Sequence, residues 1–172
     1  MTDKILELLF YCLPAVITGG VAYYFFQMHF ANERNTRKFV LMRENQKAAL
    51  PLRLQAYERM ALLMERIDPG KALIRIQPVS DDKTDYANLV IAQIDQEFEH
   101  NLTQQIYVSD ECWHIISTAK NATIQLLRKT ANDPQVRDAD HLRETVLGGM
   151  FDKATPSSAA LAYIKNEVKE FL

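Results

Sequence analysis

The chain has 172 residues, 48% of them hydrophobic and 24% charged, with a formal net charge of −2. That is the composition of one globular domain, alone or with an appendage, and it excludes intrinsic disorder and collagen-like classes. The near-neutral balance gives no nucleic-acid footprint, and two cysteines, Cys12 and Cys112, are too few for a disulfide framework or a thiolate zinc site.

The first element is an apolar run. From Leu8 to Met28 no residue is charged and 16 of 21 are apolar, the exceptions being Pro14, Thr18, Gly19, Gly20 and Gln27. As a helix at about 1.5 Å per residue it would cover about 31 Å, the thickness of a hydrocarbon core. Its ten most apolar residues favour insertion by roughly 3–6 kcal/mol in sum, opposed by Pro14, the glycines and Gln27. Phe10, Tyr11, Tyr23 and Tyr24 stand near its ends, where amphipathic rings settle at headgroups. A buried core helix would show polar punctuation over such a length. A cleaved signal peptide fits Gly20-Val21-Ala22 but not the acidic "MTDKILE" lead, and "LFYC" lacks the small residues of a lipoprotein signal. The expectation is an uncleaved single transmembrane helix over 8–28, with residues 1–7 a short external tail.

After the run come Arg34, Arg37, Lys38, Arg43, Lys47 and Arg53 against Glu33 and Glu44. The positive-inside rule then places the C-terminal side in the cytoplasm and the chain in the inner membrane. Arg34, Arg37, Lys38, Arg43 and Lys47 are the candidate contacts to anionic lipid headgroups. Ala15 and Gly19, with Thr18 and Ala22, loosely meet a small-residue spacing that permits self-association.

Residues 29–50 read as a polar, basic juxtamembrane helix, interrupted at Leu50-Pro51. Residues 51–172 read as an all-α helical domain of about five helices. Its first helix carries two apolar stripes, Leu54, Tyr57, Ala61, Met64 and Ala56, Met60, Leu63, Ile67. These are too wide together for a coiled-coil seam and so mark a bundle core. Asp68-Pro69-Gly70 stops it, and "KALIRIQPVS" reads as an extended connector or one short strand. A helix follows over 84–107 with Ala87, Ile91, Ile94, Phe98 and Leu102 on one face. Another starts after Ser109 as N-cap and carries Trp113, Ile116, Ile124 and Leu127. A shorter helix spans 136–147, and the last opens on Thr155-Pro156, with Leu161, Ile164, Val168 and Leu172 inward.

Few residues suggest chemistry. Glu97-x-x-His100 and Glu111-x-x-His114 have the spacing of carboxylate-bridged di-metal bundles. However, His100 lies about 200° from Phe98 on its helix, and the two pairs differ in height. Cys112 and His114, two apart, point away from each other and make no nucleophile–base pair. Lys120, Arg128 and Lys129 are too small a basic group for nucleic acid, and Asn101 and Asn121 are glycosylation patterns without meaning in a cytosolic domain. The sequence offers no catalytic, cofactor or metal residue.

The strings "LPLRLQAYERMALLMERI", "QEFEHNLTQQIY", "DECWHIISTAKNATIQLLRKTA" and "ALAYIKNEVKEFL" resemble an uncharacterised family of small single-pass membrane proteins from Bacteroidota, as does "YYFFQMH". The resemblance covers nearly the whole chain and implies an N-terminal anchor and a helical cytosolic body. It carries no activity or catalytic residue. The expected function is a non-enzymatic, membrane-anchored adaptor or accessory subunit of an inner-membrane complex. Its expected partners are lipid, another protein and, through the anchor, a second copy. The alternatives are a membrane-surface lipid-binding protein and a metal-binding helical-bundle enzyme.

Overall fold

A computed structural model describes the backbone of residues 2–150 and 154–170, and the side chains there except those of residues 2–12, 31, 32 and 35. Among the described residues every regular element is helical. α1 runs Thr2–Arg66, α2 Pro69–Arg75, α3 Lys83–Glu99, α4 Asp110–Ala131, α5 Ala139–Gly148 and α6 Pro156–Glu170, with a 3-10 turn at Leu102–Ile106. Internal contacts divide the chain into two units, Met1–Ala49 and Leu50–Leu172.

The expected transmembrane helix over 8–28 is corrected. The backbone is helical there, but among the described residues no helix is long and apolar enough to cross a membrane. Pro14, the Gly19-Gly20 pair, Thr18, Gln27 and the two tyrosine hydroxyls dilute the aliphatic residues. Their polar groups turn to one another: the Thr18 hydroxyl donates to the Pro14 carbonyl at 2.7 Å, and Gln27 Nε2 to the Tyr23 hydroxyl at 2.9 Å. The side chains of residues 8–12, which begin the expected span, lie outside the described residues.

Two other expectations change. Pro51 does not end a helix: α1 continues through it, since a proline removes one donor and the flanking turns keep theirs. The segment after Asp68 is a short helix and not an extended connector. Asp68 accepts from the Lys71 amide, Pro69 occupies the first turn without needing a donor, and Ala72 and Leu73 are buried.

Of the remaining helices, α4 starts at its expected cap, while α5 starts at Ala139, three residues after the expected 136. Ser109 accepts from the Cys112 amide at 3.0 Å and opens α4. Asp82 caps α3 through the Thr84 and Asp85 amides, and Asp138 caps α5 through His141. The core of the second unit joins Ala56, Tyr57, Met60, Leu63, Met64 and Ile67 of α1 to Ala87, Val90, Ile91 and Ile94 of α3. It extends to Ile116, Ile124 and Leu127 of α4, Leu142 and Val146 of α5, and Ala160 and Ile164 of α6. Leu102, expected inward, is exposed because α3 ends at Glu99. Leu172 lies outside the described residues. Loops are tied by side chains, with Lys83 Nζ donating to the Asp133 and Val136 carbonyls at 2.7 Å each, and Tyr86 to the Ile76 carbonyl at 2.7 Å.

Candidate functional site

The first unit displays its apolar side chains to the outside. At about 100° per residue along α1, Leu13, Ile17, Val21, Tyr24, Phe25 and Met28 fall in one strip about 120° wide, and Phe39 and Met42 prolong it. Each is exposed. Phe26 and Phe30, elsewhere on the helix, stack with centroids 6.3 Å apart. The five basic residues do not share a face. Lys38 borders the strip on one margin and Arg43 on the other, Lys47 lies about 40° beyond Arg43 and Arg34 about 40° beyond Lys38, and Arg37 is on the opposite side. Arg37 is held by Glu33 at 2.7 Å.

The second unit contains a polar cluster where α1, α4 and α6 supply its members. The Tyr57 hydroxyl donates to Glu167 Oε1 at 2.8 Å. Glu167 Oε2 is buried and, among the described residues, has no hydrogen-bond partner of good geometry. Burial disfavours its charge, but the nearby Ser109, Tyr57 and Cys112 donors outweigh that and hold the carboxyl below its ordinary range. Burial, then the Glu167 bond, pushes the Tyr57 hydroxyl up to about 12. Burial and the same carboxylate push the fully buried Cys112 thiol up to about 12. At neutral pH this cluster is therefore one carboxylate facing neutral donors, the opposite of an activated thiolate. Beside it, a cavity of about 350 Å³ opens along α1 and α6.

A second polar tie joins the start of α2 to that of α6. Asp68 Oδ2 accepts from Thr155 at 2.7 Å and from the buried Ser157 hydroxyl at 2.8 Å.

The residues singled out for chemistry are kept apart. Glu97 is paired with Arg66, while His100, Glu111 and His114 are exposed. Among the described residues no group of three or more His, Cys, Asp or Glu is placed to hold a metal ion. Lys120 is bound to Asp95 at 2.7 Å and sits over the Phe98 ring, which stacks on Trp113 at 5.1 Å. Sequence reasoning missed Glu167 as a cluster member. The available signal was a carboxylate set between Ile164 and Val168 on an inward stripe.

The sequence model of a family of unknown function (DUF7935) matches residues 3–171, and the chain belongs to that family. No curated protein and no solved structure matches it.

Proposed function

We propose that this chain is a non-enzymatic helical adaptor that rests on a lipid surface through α1 and presents the helices of Leu50–Leu172 to a protein partner. The observation that carries the reading is the exposed strip Leu13, Ile17, Val21, Tyr24, Met28 with Lys38 and Arg43 on its margins. Burying one such side chain contributes about 1.5–3 kcal/mol, and each basic residue near an anionic surface about 1 kcal/mol. Long basic side chains bordering an apolar strip can lay their stems on it while their heads meet phosphates. The second unit has 14 Lys and Arg against 18 Asp and Glu, so an anionic leaflet repels it and leaves it accessible. Its exposed Leu62, Ile74, Val79 and Ile106 are the surface on offer to a partner. A protonated thiol and a carboxylate occupied by Tyr57 suit a structural role better than catalysis.

Flotation of the full chain with vesicles tests this. Phosphatidylglycerol vesicles should carry the protein upward, and V21E/M28E should abolish that. G19E, on the opposite side of the helix where a side chain meets open space, should not. R34E/K38E should weaken flotation on anionic but not on zwitterionic vesicles. A chain that never floats, or that floats equally with V21E/M28E, overturns the proposal.

A further inference from the structure

The cavity beside Tyr57 has a lining that nothing above uses. Its walls are Leu54 and Ala61 from α1 and Ile164 and Val168 from α6, and Lys165 and Lys169 stand one turn apart at its rim. The Tyr57 hydroxyl is taken by Glu167, so the ring carbons are what that side chain offers to the space. At about 350 Å³ the volume is at the small end of ligand sites. A helix about 10 Å across fills roughly 400 Å³ in a single turn, so it could only rest against the opening. A thin flexible chain fits inside.

We propose that this cavity binds one medium-length acyl chain of a free fatty acid, its methylenes between α1 and α6 and its carboxylate at Lys165 and Lys169. The apolar walls supply the drive and the two ammonium groups select an anionic head over a neutral or cationic one. Glu58, on the α1 side of the rim, turns the head toward α6. The site lies wholly within the second unit. It does not depend on the lipid-surface reading, which concerns α1 in the first unit.

The test is methyl NMR of the full chain titrated with sodium decanoate below its micelle concentration, in the absence of vesicles. The Ile164 and Val168 methyls should shift saturably while those of Ile17 and Val21 stay in place. K165Q/K169Q should weaken decanoate by roughly fivefold, the most an exposed ion pair provides, and leave decanol unchanged. A61F should remove binding of both. If A61F melts far below the parent chain, V168F serves as the filling variant, with the same expectation. No shift at Ile164 and Val168 overturns the proposal. So do shifts shared equally with Ile17 and Val21, or a folded filling variant that still binds.

Discussion

Replacing Tyr57 by Phe tests the α1–α4–α6 cluster with a single oxygen. The ring stays in the core, so packing is unchanged, and what disappears is the 2.8 Å bond to Glu167 Oε1 together with the hydroxyl's interaction with Arg53. The other carboxylate oxygen, Oε2, already has no well-formed partner among the described residues. A hydrogen bond to a charged group contributes about 1.5–3 kcal/mol, so Y57F should lose about 2 kcal/mol at neutral pH. For a domain of this size that lowers Tm by roughly 5–10 °C. The effect has a sign in pH. The Glu167 carboxyl is held below its ordinary range in the folded state. Its contribution is therefore complete above the unfolded-state pKa and is lost as pH falls through the folded one. The gap between Y57F and the parent should be widest near pH 7 and should be narrower at an acid pH where the carboxyl is protonated in both. Thermal unfolding followed by circular dichroism at the two pH values reads it. A gap under about 0.5 kcal/mol at pH 7, or one of equal size at both pH values, would refute the reasoning.

Other consequences are independent of that pair. In a C12S background, native Cys112 should resist maleimide for as long as the bundle stays closed. Its thiol is buried and pushed up to about 12, so labelling should follow unfolding and not the pH of the reagent. D68A removes the cap on the Lys71 amide and the acceptor of both the Thr155 and the buried Ser157 hydroxyls, leaving Ser157 its 3.1 Å contact to Thr155. It should cost about 2–4 kcal/mol in urea unfolding, with S157A recovering part of that loss as a second change. L127A empties a fully buried site on α4 and should cost about 2–5 kcal/mol with an unchanged m-value.

What the sequence made legible is what depends on neighbours along the chain. Ser109 and Thr155-Pro156 announce helix starts because a cap is a contact over three residues, and the structure has both helices opening there. Tyr57, Met60, Met64 and Ile67, or Ile116, Ile124 and Leu127, are recognisable as inward because a helical stripe is a local period. The failures share a cause. Asp68-Pro69-Gly70 reads as a stop, yet aspartate followed by proline is equally the opening of a helix. What decides is the burial of Ala72 and Leu73 and the grip of Thr155 and Ser157 on Asp68, from 87 and 89 residues away. Pro51 reads as a break, yet one missing donor in a helix of 65 residues is a small loss.

The apolar run shows the same limit from another side. Absence of charge over 8–28 argued for a membrane span, but among the described residues, which leave out the side chains of 8–12, no helix is long and apolar enough to make one. Thr18, Gln27 and the tyrosine hydroxyls are uncharged and still polar; the Thr18 hydroxyl donates to the Pro14 carbonyl and Gln27 to the Tyr23 hydroxyl. Part of the run shares one direction, while Val16, Tyr23, Phe26 and Phe30 are exposed on the other side. Leu13, Ile17, Val21, Tyr24 and Met28 recur at steps of four, four, three and four, which aligns them on one side. Basic residues at its margins add what apolarity lacks, a preference for the sign of the surface it meets. The G19E and V21E/M28E pair separates these readings. A helix buried on all sides loses its association with either change, whereas a helix lying on a surface loses it with only one.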